Sequence, residues 1–296
     1  MRIHGSLVLL LLITSNANSQ ELNVTLRTRT PSAADPKVFD PNLKKQTWDP
    51  KQTAIIVCDM WDRHHCPTAE KRVVELCPRM NDVLESARKR GILIIHAPSS
   101  CMEAYKDHPG RKLAQSAPAA KELPIDIAKW CYKIPSEEKG EYPIDQTDSC
   151  DCEKEGIAAH EKAMAAEGRN PKAPWKKQNP LLTIRDEDPI SDSGVEIWNL
   201  LTARGINNVM LLGVHTNMCV LGRPFGLRQM AKNGKNTALV RDLTDTMYNP
   251  EKRPHVSHFK GTELIIVHIE KYVCATITSD QIAVGPMFRF AGDSGK

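Results

Sequence analysis

The chain has 296 residues, 41% hydrophobic and 26% charged, with a formal net charge of +4. That is an ordinary globular composition, enough for one large domain or two small ones. The small positive excess, with no Lys/Arg-rich run, argues against a nucleic-acid partner.

Residues 1–19 read as a secretory signal peptide. Arg2 supplies charge, "LVLLLLI" is an apolar core too short to anchor in a bilayer, and "ANS" offers small residues for cleavage near Ser19. The mature protein is therefore expected to be exported, periplasmic or secreted, with no membrane span. Residues 20–50 are polar and contain proline, and read as an N-terminal extended arm. The domain proper is expected over 51–296.

"TAIIVCDM" (53–60) is a continuous β-rich apolar run, as in a strand buried on both faces. "VVELCPRMNDVLESARKRG" (73–91) has helical spacing at Val73, Leu76, Met80, Val83, Leu84 and Ala87, and stops at basic residues and a glycine. "ILIIHAP" (92–98) is the next strand. Strand, helix, strand implies parallel pairing with a right-handed crossover. Further strands are expected at "LLTI" (181–184), "NVMLLGV" (208–214), "NTALVRD" (236–242) and "ELIIVHIE" (263–270), with a helix at "SGVEIWNLLTARG" (193–205). The fold class is α/β: an open six-stranded parallel sheet with helices on both faces. Residues 99–179 are too long and too polar for a βα loop and read as an irregular insertion.

Nine cysteines in an exported chain favour disulfides, and the odd count leaves at least one thiol over. Cys101, Cys131, Cys150 and Cys152 are candidates for pinning the insertion. Pairing itself is not readable from spacing.

Ligands in open parallel sheets bind at the carboxyl ends of the strands. Those ends carry Asp59, with Trp61, Asp62, His64 and His65 beyond it. They also carry His96, Arg185 with Asp186, His215 with Cys219, and Arg241 with Asp242. Cys219 follows a turn at the start of a helix, where backbone N–H groups and the helix dipole pull a thiol toward thiolate. Asn217 is a candidate N-cap. Pro224 falls where that helix should continue, and kinks it. Arg241 and Asp242 are either an ion pair or contacts for a substrate acid. His64, His65 and His96 read as cleft histidines rather than ligands, so no metal or other cofactor is predicted. Trp61, His65 and His96 are candidate substrate contacts.

"AIIVCDMWD" and "NVMLLGVHTNMCV" resemble the isochorismatase-like cysteine hydrolases, a superfamily that includes nicotinamidases, N-carbamoylsarcosine amidohydrolases and isochorismatases. The likeness spans residues 50–98 and 181–270. It implies Asp59 as general base, Cys219 as nucleophile, and a cis peptide at Val214–His215. It also implies backbone N–H groups of His215 and Cys219 as oxyanion hole, and self-association into a homo-oligomer. The family lysine has no counterpart: its place falls on Arg185 or Asp186. Arg185 can supply fixed charge but cannot transfer a proton. The implied activity is thioester-mediated hydrolysis of a small amide, carbamoyl or related C–N compound. The missing lysine leaves a non-catalytic small-molecule-binding protein as the alternative.

Overall fold

The computed structural model describes residues 21–294, so the signal-peptide expectation lies outside the described residues. The elements in chain order are β1 (Leu22–Pro31), β2 (Phe39–Trp48), β3 (Thr53–Cys58), α1 (Pro67–Arg90), β4 (Leu93–Ala97), α2 (Pro109–Gln115), α3 (Lys154–Ala166), α4 (Gly194–Ala203), β5 (Asn208–Val214), α5 (Leu227–Lys232), β6 (Asn236–Asp245), α6 (His258–Tyr272) and β7 (Ala275–Ile277). One seven-stranded sheet runs in the order β2-β1-β7-β6-β5-β3-β4. The run from β7 to β4 is parallel, and the β1–β2 hairpin joins it antiparallel.

The pleat explains the two-sided core. Along β3, Ile55 and Val57 face α1 with its Met80 and Leu84, whereas Ile56 faces α4 and α6 with Leu200, Leu201 and Ile265. Every residue of β3 is buried. Each such aliphatic side chain contributes about 1.5–3 kcal/mol of burial. The result is mixed α/β and mostly parallel, with helices on both faces.

Three expectations are corrected. The expected six-stranded parallel sheet has seven strands, two of them antiparallel: residues 20–50, read as an extended arm, supply β1 and β2, paired in register from Leu22↔Trp48 to Pro31↔Phe39. The alternation of Leu22, Val24 and Leu26, all buried, is the sequence signal for that strand. "ELIIVHIE" is helix α6, not a strand. Its buried positions, Gly261, Thr262, Ile265, Ile266, His268 and Ile269, recur at helical spacing, and Ser257 caps its start by accepting from Lys260 N. The short strand β7 follows it. "LLTI" joins no strand pair. It lies along α1, held by Asn81 Nδ2 to Leu181 O at 2.7 Å and Arg88 Nη2 to Thr183 O at 3.0 Å.

Residues 99–179 carry α2, α3 and two 3-10 turns, Met102–Tyr105 and Pro135–Lys139, and are otherwise irregular. Buried Glu137 pins this segment by accepting from Arg228 on α5 (2.8 Å to each oxygen) and from the imidazole of His268 on α6 (2.9 Å). Cys101 and Cys131 are buried free thiols, as are Cys58 and Cys77. No helix among the described residues is long and apolar enough to cross a membrane.

Candidate active site

Asp59 leaves the carboxyl end of β3 with φ 46°, a left-handed conformation that aspartate tolerates better than most residues. Its side chain is fully buried. Oδ1 accepts from Ser99 N at 2.7 Å and Oδ2 accepts from Arg223 Nε at 3.0 Å. Beside it, the next-to-last residue of β5 is Gly213, whose φ is 108°; a Cβ there would stand 2.1 Å from Cys58 O. Only glycine lets β5 approach β3 this closely where Asp59 begins.

Past Gly213 comes the Val214–His215 cis peptide, then a π-helical turn, Thr216–Val220, that carries Cys219. Thr216 Oγ1 donates to Asp245 O at 2.9 Å. Asn217 Nδ2 donates to Met247 O at 2.9 Å, and Asn217 Oδ1 accepts from Met247 N at 3.0 Å. Asn217 is thus clamped within the turn rather than serving as N-cap; His215 holds that position. The helical run breaks after Gly222 and resumes at Leu227, around Pro224, as its missing N–H dictates.

The Cys219 thiol, 8% exposed, lies beside Asp59 and Arg223 and feels the charge of both. Burial and then the charge of Asp59 push that thiol well above its ordinary value, against the pull of Arg223. This corrects the thiolate expectation: low solvent access and an adjacent carboxylate outweigh the turn's N–H groups. Burial also raises the Asp59 carboxyl, with Arg223 opposing. Burial thus favours the protonated thiol at Cys219, while at Asp59 burial favours the neutral acid and the Arg223 guanidinium favours the carboxylate.

Arg185 is elsewhere. Its guanidinium is half-exposed and pairs with Glu85 at 2.5 Å. The cation on Asp59 is Arg223, which the sequence reading missed. Its signal was the spacing: four residues after Cys219, it returns to the same face of a helical turn. It also lies over the Trp130 ring, 5.3 Å from the centroid.

The remaining candidates divide. Trp61 donates from Nε1 to Ser99 O at 3.1 Å and stacks on Trp175 at 4.3 Å, tying residues 99–179 to the Asp59 loop. His96 is fully buried between Gln178 Oε1 (2.9 Å) and Asp188 Oδ2 (3.5 Å), a structural setting. His65 packs against His64 with the rings tilted by 35° and lines a separate cavity with Cys150. His64, 4.8 Å from the His215 ring, is held at about 3 by burial and by His65, and His215 is also driven down by burial. Both imidazoles are neutral. Arg241 and Asp242 do not pair: Asp242 accepts from Ser279 N (2.8 Å) and Phe288 N (2.9 Å), while Arg241 reaches Thr276 Oγ1. Adjacent strand residues point to opposite faces.

Asn217 and Met218, from the turn that carries Cys219, help line a cavity of about 430 Å³ with Trp130, Tyr142, Arg228 and His268; Cys219, Asp59 and Arg223 are not among its lining residues.

No family model matches the chain, and no curated protein does. Among solved structures, the chain is similar to isochorismatase-like hydrolases. A cysteine hydrolase from Pseudomonas syringae pv. phaseolicola 1448A aligns at 16% identity and TM-score 0.47, over 79% of this chain and 93% of that one. An N-carbamoylsarcosine amidase from Thermoplasma acidophilum aligns at 13% and 0.41, over 77% and 97%. A nicotinamidase/pyrazinamidase from Acinetobacter baumannii aligns at 12% and 0.38, over 78% and 98%. Likenesses this loose assign no residue its role; the roles rest on the contacts described above.

Proposed function

We propose that the protein is a cysteine hydrolase of small amide, carbamoyl or related C–N compounds. One observation carries the reading: the Asp59 carboxylate meets both the Cys219 thiol and the Arg223 guanidinium at the carboxyl edge of the sheet.

The chemistry follows from the protonation states. Cys219 holds its proton at rest, so attack requires a base in contact, and Asp59 takes the proton as sulfur bonds to the substrate carbonyl carbon. Negative charge moves onto the carbonyl oxygen, where the N–H groups of His215 and Cys219 serve as donors. The C–N bond breaks, the leaving nitrogen takes the proton from Asp59, and a thioester remains. Asp59 then draws a proton from water, whose oxygen attacks the thioester; as the C–S bond breaks the sulfur takes that proton from Asp59, leaving the acid, the free thiol and the Asp59 carboxylate. Arg223 stays charged throughout and favours the ionised form of Asp59. It stands in this scheme for the absent family lysine. A cavity of about 430 Å³ beside the turn suits a small molecule.

The test is a panel of small primary amides and carbamoyl compounds, with ammonia release as readout and intact mass to trap the acyl-enzyme. Cys219→Ala is expected to abolish both signals. Unchanged turnover in that variant would sink the reading.

A further inference from the structure

Three other thiols converge away from Cys219. Cys66 is the N-cap residue of α1, while Cys150 and Cys152 lie on the segment that leads into α3. Their three sulfurs lie within 4.8 Å of one another, and Cys66 Sγ is 3.3 Å from Cys152 Sγ. Thr68 Oγ1 sits over the cluster, 3.2 Å from Cys66 Sγ and 3.1 Å from Cys152 Sγ. Asp151, between the two neighbouring cysteines, is fixed by Arg72 Nη1 at 2.9 Å and by Thr68, with Oδ1 3.7 Å from Cys66 Sγ.

Geometry separates two uses of such a trio. A disulfide brings two sulfurs to about 2.0 Å and leaves the third idle. Thiolates bound tetrahedrally at about 2.3 Å from a metal stand about 3.8 Å from each other. Here Cys66 and Cys152 stand 3.3 Å apart, and all three sulfurs lie within 4.8 Å of one another, close enough to share one ion. Cys66 is buried and supplies a dry anchor, whereas Cys150 and Cys152 are partly exposed and admit an ion. Cys150 also lines, with His65, Ser149 and Lys172, a cavity of about 330 Å³ that gives a fourth ligand access.

We propose that Cys66, Cys150 and Cys152 form a three-thiolate site for a thiophilic d¹⁰ cation, Zn²⁺. Each thiol releases its proton to solvent as its sulfur takes the metal, with no change of oxidation state. The ion joins residues 99–179 to the start of α1, just after the loop that carries Trp61 and His64. None of its three ligands takes part in the Cys219 chemistry, although Met218, next to Cys219, packs against the cluster.

The test uses the full chain, reduced and chelator-stripped, carrying Cys219→Ala so that the reactive thiol is silent. Cd²⁺ is the probe, followed by its ultraviolet thiolate-to-metal charge-transfer band. The band should saturate at a single equivalent. Cys150→Ser should lose about a third of its intensity and weaken binding by at least about tenfold. Zn²⁺ should raise the melting temperature of the parent but not of Cys150→Ser. If Cys66→Ser does not fold, the partly exposed Cys150 position still decides the outcome. The proposal is overturned by absence of the band, or by a band unchanged in Cys150→Ser. It is equally overturned if peptide mapping finds a Cys66–Cys152 disulfide that forms despite prior Zn²⁺ loading.

Discussion

Arg223 donates from Nε to Asp59 Oδ2 at 3.0 Å, and both side chains reach the Cys219 thiol. The two partners act on the thiol in opposite directions: Asp59 raises it, Arg223 lowers it. Substitutions at the two positions should therefore separate thiol reactivity from turnover. Asp59→Asn removes the negative charge and leaves the cation, so Cys219 should be alkylated by iodoacetamide faster at neutral pH than in the parent. Turnover should nonetheless fall by about 10²–10⁴, because the proton acceptor is gone. Arg223→Met should slow alkylation. Rates followed by peptide mass give the answer, and slower alkylation in Asp59→Asn would contradict this charge arrangement.

The same contact sets the acid limb of activity. Asp59 must be ionised to accept the thiol proton, and burial raises it from 3.8. Its ionised fraction is lost as pH falls through that raised value. Activity should thus decline at a higher pH than an ordinary carboxylate would dictate. Arg223→Met removes an opposing charge and should move the limb further up, while Arg223→Lys should restore most of the difference. A limb that stays fixed across the three proteins would exclude Asp59 as the titrating base.

Much of this arrangement is legible from residue pattern alone. Asp59 and Cys219 sit at the ends of β3 and β5, and a buried strand that terminates in a polar residue marks the ligand-binding edge. The cis bond at Val214–His215 follows from the family resemblance and is present in the structure. Arg185 went astray because "LLTI" has strand-like composition, yet hydrogen bonds from Asn81 and Arg88 hold it along α1, outside the sheet. Its neighbour therefore has no strand end from which to point at Cys219. "ELIIVHIE" misled for a related reason: a short β-branched run fits either period, and only its partners on the sheet, such as Ile265 against the Ile56 face, decide for helix.

Acid stability should report on Glu137. Burial raises this carboxyl, but hydrogen bonds from His268 and Arg228 win and bring it from 4.5 to about 2. A carboxylate depressed on folding stabilises above its unfolded value and loses that contribution as pH falls toward the folded one. The stabilisation, about 3 kcal/mol, should disappear between about pH 4.5 and pH 2. Glu137→Gln should be less stable at pH 7 and show a flatter stability profile over that window. Urea unfolding at a series of pH values measures both, and parallel profiles for the two proteins would rule out Glu137 as the source.

Gly213 and Gly91 offer a matched pair for backbone strain. Both have positive φ, 108° and 84°, but a Cβ on Gly91 meets nothing within 4 Å, whereas one on Gly213 meets Cys58 O at 2.1 Å. Gly91→Ala should therefore cost only the left-handed penalty, about 1–2 kcal/mol. Gly213→Ala must also force β5 away from β3, because a backbone carbonyl in a paired strand cannot rotate aside. Its cost should exceed that of Gly91→Ala by at least about 2 kcal/mol. The displaced strand carries the turn that holds Cys219, so activity should fall in Gly213→Ala even at temperatures where it remains folded. Gly91→Ala lies at the far end of α1 and should retain activity once folded. Equal unfolding free energies for the two variants would show that the close approach of β5 to Cys58 is not what requires glycine.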